Sequence, residues 1–371
     1  MRLKNTQTSF HQADKILGTL SQSIIPKYAQ RTKLFDFDDN VFTDYYLAGG
    51  ALFLGHANKN VVVAVKKAAQ RGINFEMTTR EEISLAQDIQ RCVPWLERLC
   101  FFASESEAIQ SAVELARSYT QKEVVLALGH FPELTGSAIV NIPFNDEKIL
   151  EETVLQNQSR VACVVVQPVL TENGIVLVDK KFLETLDRVT KKQGIVVIFD
   201  ERKTGFRFYK GVLQSQLGFI ADITCLGGVL SAGFPLGICG GKKEILEHAH
   251  LRMSLKSPII LKASLATLRL LNGGFYKSLD EKCRHFCEKL ELFIQTEKVE
   301  AEFSHYGSLM HISLLQNKEN DYNQMFLYLL EKGIYFSKAG SEPFYITGVH
   351  SKRELEDLLN HLKQFFKRRD A

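Results

Sequence analysis

The residues with the most chemistry to offer stand at the ends of apolar runs. Ile198-Phe199-Asp200-Glu201 closes one such run with two adjacent carboxylates. At the C-terminal edge of a parallel sheet α/β proteins place ligand-binding groups, and acids there can exchange protons. The same pair can also do no more than cap the next turn. The tetrapeptide has the look of the acidic strand of a nucleotide site, but the partner motif G-x-x-x-x-G-K-[ST] is missing, which excludes that class of NTPase. Gly227-Gly228, Gly233 and Gly237 make a glycine-rich stretch after a short strand. It either brings backbone close to an anion or forms a tight connection. Ser104-Glu105-Ser106 opens a helix, where serines can cradle phosphate or act as caps, and Glu105 would repel a phosphate. His248 and His250 lie two apart on a helix, hence on different faces, and no metal site is expected. A G-x-S-x-G elbow is absent, so a serine hydrolase finds no support.

Something has to position those groups. Val161-Ala162-Cys163-Val164-Val165-Val166 and Ile195 to Phe199 lack period-2 alternation, as strands buried on both faces do. Strands are expected at 99–103, 123–128, 161–167, 195–200 and 223–226, alternating with helices at 105–119, 146–156 and 179–193, after helices at 59–71 and 79–91. That alternation predicts an α/β layer with a mostly parallel sheet flanked by helices. A helix at 9–20 and a hairpin, 33–37 with 41–46, precede it. Helices at 242–250, 257–272 and 275–297 follow, then strands at 305–315 and 342–347 and helices at 321–333 and 351–367. The division expected is an N-terminal segment (1–50), a large α/β domain (51–265) and a small α+β domain (266–371). No internal repeat or low-complexity stretch interrupts it.

Composition narrows the function. With 371 residues, 45% hydrophobic, 24% charged and only 8 prolines, the chain has a core to bury and is not a disordered one. The net charge of +3 comes from 46 basic and 43 acidic residues that are interspersed, which excludes a phosphate-tracking stripe and makes nucleic acid an unexpected partner. Seven scattered cysteines without C-x-x-C suggest reduced thiols. The first fifteen residues hold no apolar leader core, and no run approaches the roughly 18 apolar residues of a membrane span. A cytoplasmic protein that does not enter membranes is expected.

The order of several short stretches is more specific than any one of them. They are Leu34-Phe35-Asp36-Phe37-Asp38-Asp39, Leu54-Gly55-His56-Ala57, Ser106-Glu107-Ala108 with Glu114-Leu115-Ala116-Arg117, Phe144-Asn145-Asp146, Gln167-Pro168-Val169, the run from Ile198 to Arg207, Gly233 to Gly237 with Gly240-Gly241, and Pro258 with Ala263 to Leu268. From Phe35 to Leu362 this series resembles the class III aminotransferase family, fold type I enzymes that use pyridoxal phosphate, and within it the glutamate-1-semialdehyde aminomutases. The resemblance implies the fold and also implies departures at the site. The family's cofactor lysine follows Leu-Gly, where this chain has Leu226-Gly227-Gly228. Glycine has no amine to offer as nucleophile or base. The phosphate cup Ser-Gly-Thr becomes Ser104-Glu105-Ser106, and the threonine supplied by a partner subunit becomes Met253, leaving Lys256 and Ser257 as donors. The stacking aromatic corresponds to Phe131, ahead of a shortened loop between Glu133 and Asn141, and the ring-packing valine to Arg202. Asp200, the implied partner of the ring nitrogen, is kept, with Arg202 or Lys203 as its new neighbour; Glu201 is given a structural role.

Three functions remain open on these residues. One is a family member that has lost conventional transamination and needs no cofactor. Its interface pocket (Glu105, Phe131, Asp200, Arg202, Lys203) binds a polar small molecule, with Asp200 and Glu105 as an acid/base pair and Arg202 or Lys203 stabilising an oxyanion. The second is an aminotransferase or aminomutase relative that holds pyridoxal or pyridoxamine phosphate non-covalently, Lys203 or Lys256 moving the proton. The third is a scaffold or regulatory partner without catalysis. A homodimer is expected, because Phe35, Phe37, Phe42, Tyr45 and Tyr46 need cover from the small domain or from a partner chain.

Overall fold

Every residue of Val161–Val166 is buried, because this strand runs through the interior of a seven-stranded sheet covered on both faces. The computed structural model describes residues 24–248, 254–255, 257–315 and 318–369. The strands of the sheet are β1 (Arg98–Phe102), β2 (Val124–Leu128), β3 (Ile139–Asn141), β4 (Val161–Val166), β5 (Val196–Asp200), β6 (Ile223–Leu226) and β7 (Gly237–Gly241). Their spatial order is β1-β7-β6-β5-β4-β2-β3. Only β7 runs antiparallel to its neighbours β1 and β6; the other pairs are parallel, so the expectation of a mostly parallel sheet holds.

Successive side chains of each central strand serve opposite layers. Val125, Ala127, Cys163, Val165, Ile198 and Cys225 pack against the helix Glu105–Thr120, through Ala108, Ile109, Ala112 and Ala116. Leu126, Leu128, Val164, Val166, Val197 and Phe199 pack on the other face against Leu150 and Val154 of Glu147–Gln156 and Phe182, Leu183 and Leu186 of Lys180–Gln193. Each buried Val, Leu, Ile or Phe among them contributes about 1.5–3 kcal/mol, the alanines less. The helices have their own stops. Ser104 caps Glu105–Thr120 by accepting from the Glu107 N–H at 3.1 Å, and Gly194 in the left-handed region ends Lys180–Gln193.

Contacts divide the chain into two units. The one just described comprises Asn60–Leu170 and Val176–Gly273. The other gathers the described residues through Lys59, Thr171–Ile175 and the chain from Gly274 onward. It holds the strands Pro26–Gln30, Lys33–Asp36 and Val41–Asp44 with Ile334–Tyr335, and a second sheet of Ala301–Tyr306, Leu309–Leu314 and Phe344–Tyr345. Helices Lys318–Glu331 and Lys352–Arg369 belong to it too. Here Tyr45 finds its cover: its ring stacks on His350 at 4.5 Å and its hydroxyl donates to the Glu354 carbonyl at 2.7 Å. Phe42 is buried as well, whereas Phe37 is 55% exposed.

Two expectations change. The single strand at 305–315 is two strands, because Gly307, in the left-handed region at φ 55°, turns the chain between them. The glycine-rich β7 was not expected as a strand at all. Of the anticipated helix 242–250, Lys243–Leu246 is helical and residues 249–250 lie outside the described residues, as does the whole of 9–20. All seven cysteines are free thiols, and no helix of the described residues is long and apolar enough to cross a membrane.

Candidate functional site

Strand β5 delivers Asp200 to the C-terminal edge of the sheet. Immediately beyond it the chain turns back on itself, so that Arg202 folds over the carboxylate two residues earlier. Asp200 Oδ1 accepts from Arg202 Nε at 2.7 Å and from the Arg202 backbone N–H at 3.2 Å, and Oδ2 accepts from Nη2 at 2.9 Å. The remaining face of the guanidinium is also used: Nη1 lies 2.5 Å from Glu133 Oε1. Arg202 and Glu133 side chains are each 11% exposed and that of Asp200 is 4% exposed, so this is a buried ion cluster. Charge-assisted, forked pairing of this kind is the strong form of the interaction.

A third carboxylate approaches from another element. Glu105, the first residue of its helix, turns its Oε1 onto the backbone N–H of Gly228 at 2.5 Å. Burial pushes the Glu105 carboxyl up, and the Gly228 N–H and the charge of Arg202 offset only part of that. Burial would raise Asp200 also, but there the charge and hydrogen bonds of Arg202 win, and the carboxyl is held below its usual range. Burial works against the charge of Arg202, yet Asp200, Glu133 and Glu105 together keep the guanidinium protonated. The cluster thus carries three carboxylates around one guanidinium, with Lys203 acting on Glu105 through its charge.

Gln167, at the end of neighbouring β4, ties the Glu133 loop to the sheet. Its Oε1 accepts from the His130 N–H at 3.1 Å, its Nε2 donates to the His130 carbonyl at 3.2 Å, and Nε2 is 3.5 Å from Asp200 Oδ2. Glu201 points elsewhere. It accepts from the N–H groups of Leu213 and Gln214 at 2.8 and 2.7 Å and from Thr204 Oγ1 at 2.7 Å, fastening the next loop; burial pushes its carboxyl up to about 7.

Of the site residues expected from sequence, the fold brings Glu105, Asp200, Arg202 and Gly228 together. Ser104 is a helix cap, Ser106 is exposed in the first turn, and Phe131 belongs to the core under that helix. Ser257 heads the helix Pro258–Leu270 without a side-chain cap bond, and Lys256 and Met253 lie outside the described residues. Sequence reasoning missed Glu133 and Gln167 as members of the cluster. For Gln167 a signal existed, since the parallel register places Val166 beside Phe199 and so the two strand ends side by side. For Glu133 there was none beyond the shortened loop. No group of three or more His, Cys, Asp or Glu fit to hold a metal occurs among the described residues.

The chain matches the family described as aminotransferase class III over residues 18–130 and 125–366. It is 31% identical to the glutamate-1-semialdehyde 2,1-aminomutase of Thermodesulfovibrio yellowstonii, covering 92% of this chain and 90% of that one. It is 33% identical to that of Fusobacterium nucleatum, covering 93% and 90%. Among solved structures, an omega-transaminase from Sphaerobacter thermophilus shares the fold with a TM-score of 0.92 at 22% identity, covering 98% of both chains. A glutamate-1-semialdehyde aminomutase from Pseudomonas aeruginosa, solved as a lysine-to-alanine variant in complex with pyridoxamine phosphate, superimposes with a TM-score of 0.85 at 16% identity, covering 93% of this chain and 87% of that one.

These findings correct the expectation that this chain needs no cofactor, which rested on the missing amine at Gly228 and on the altered phosphate cup: its relatives are aminotransferases and aminomutases, and a structure of this fold holds pyridoxamine phosphate in a lysine-to-alanine variant. Losing the amine removes a covalent bond and leaves non-covalent contacts to be made. A separate question is whether the residues fit the group as they stand. With Arg202 in place they leave it no room: both oxygens of Asp200 are engaged by Arg202, and the Glu105 carboxylate stands in the first turn where the resemblance implies a phosphate cup, so the group fits only once Arg202 releases Asp200.

Proposed function

The chain belongs to the class III aminotransferase family, and from that premise we propose a member that no longer anchors its chemistry on a lysine of the chain. Its site at the C-terminal edge of β5 takes pyridoxal or pyridoxamine phosphate as a dissociable ligand. The observation that carries this reading is the turn at Gly228. A Cβ there would stand 2.2 Å from the carbonyl oxygen of Arg202, on a backbone with φ +40°. This backbone is shaped for a residue without a side chain, which is more than the loss of an amine. Conventional lysine-dependent transamination is lost on this reading, while Asp200 remains for binding once Arg202 moves off it. The lysine-to-alanine aminomutase with pyridoxamine phosphate supports it, being a lysine-free site of this fold that keeps the aminated ligand. A homodimer in the cytoplasm is part of the same proposal, and sedimentation of the purified chain tests the assembly.

The test of function is a titration of the purified protein with each phosphate, followed by absorbance, then borohydride reduction and intact mass. A saturable spectral shift without added mass is expected. A single reduced adduct would mean that another lysine has taken over, and absence of any shift would end the reading.

A further inference from the structure

Arg202 is held as a ligand is held. Three carboxylates act on its guanidinium: Asp200 at the end of β5 hydrogen-bonds it, Glu133 of the 129–133 loop pairs with it as an ion at 2.5 Å, and Glu105 at the start of the helix after Ser104 acts through its charge. Gln167 fixes the loop that carries Glu133. Isolated acids would not be buried at this density; the arrangement is stable because a planar cation sits among them. We infer that the Arg202 guanidinium is the built-in occupant of this site, and that a ligand enters by presenting its own planar cationic N–H group to Asp200 and Glu133 in exchange. Pyridinium, amidinium and guanidinium compounds have that chemistry; neutral or purely anionic molecules do not. The inference rests on the proposed small-molecule site but not on the identity of the phosphate that enters it.

Two arms separate these claims. In the first, Arg202→Ala is melted with ethylguanidinium chloride or, at equal ionic strength, ethylammonium chloride. The variant should melt below the wild type, and the gap between the two proteins should narrow in the guanidinium salt and not in the ammonium salt, the wild type reporting each salt's general effect. A gap that is the same in the two salts would overturn the inference. In the second, pyridoxamine phosphate affinity is compared in the two proteins. Coulomb's law alone predicts weaker binding of a phosphate once a cation is removed from among three carboxylates. Exchange predicts binding at least tenfold tighter, since the competitor has gone. Unchanged or weaker affinity overturns the inference and leaves the proposed function standing if the wild type binds. Guanidinium rescue without phosphate binding in either protein does the reverse. Should Arg202→Ala not fold, Arg202→Ala with Glu133→Gln removes one stranded carboxylate and gives the same readouts.

Discussion

Restoring lysine at position 228 is the most direct challenge to the proposed function, and the geometry predicts failure. Gly228 begins the 3-10 turn Gly228–Ser231 with φ +40°. A side chain in the left-handed region costs about 1–2 kcal/mol. The new Cβ would also lie 2.2 Å from a backbone oxygen, that of Arg202, which no rotamer change relieves. Overpacking of that kind costs about 1–3 kcal/mol. Gly228→Lys should therefore be destabilised by about 3 kcal/mol, lowering Tm by roughly 6–12 °C for a unit of this size. The lysine would also emerge beside Glu105, whose Oε1 is 4.0 Å from the Cβ position. Scanning calorimetry gives the first number; incubation with pyridoxal phosphate, borohydride reduction and peptide mapping give the second. The expected map shows no stoichiometric adduct at residue 228. Wild-type Tm together with a full adduct at that lysine would refute the reasoning, because it would mean that the turn accepts a side chain without strain.

Two further outcomes follow from the packing. His350 is fully buried, accepts the Thr347 N–H on Nδ1 at 3.0 Å and places Nε2 3.1 Å from the Asp44 carbonyl, so only its neutral ring fits; burial holds it at about 4, against an ordinary 6.5. Stability should be lost as pH falls from about 6.5 towards 4, by about 3 kcal/mol at 1.36 kcal/mol per pH unit, and His350→Phe should lose that slope in urea titrations run across the range. Gly237→Ala should cost about 3 kcal/mol by the same urea measurement, since its Cβ would fall 2.1 Å from the Ser104 carbonyl oxygen and 2.8 Å from the Ala108 Cβ; a cost under 1 kcal/mol would mean that the helix can lift off β7 freely.

The large sheet was legible because burial on both faces leaves an unbroken apolar run, as in Val161–Val166 and Val196–Phe199. Strand β7 was not, and the reason is physical. Gly-Ile-Cys-Gly-Gly has little strand preference, but Gly237 makes room for the helix after Ser104, Gly240 for Leu99, and Gly241 for the Asp222 carbonyl. The requirement comes from neighbours distant in sequence, so no local pattern announces it. The same is true of the two strands joined at Gly307: one apolar stretch reads as one strand until the turn is seen.

At the site, sequence named the individual changes but not their relation. Arg202 read as the loss of an apolar ring-packing residue, and Glu105 as a charge unfavourable to phosphate. Each change alone is a defect. In the structure they are terms of one balance: Arg202 would be an unpaired buried cation without Asp200 and Glu133, and Asp200 an unpaired buried acid without Arg202. Such a balance requires Glu133 to be delivered by its loop and that loop to be clamped by Gln167, two conditions set by chain positions more than thirty residues apart. Compensation on this scale argues against a site that has merely decayed. A decaying site loses its cofactor contacts independently and leaves buried charges stranded, whereas here the charges that would have been stranded hold one another.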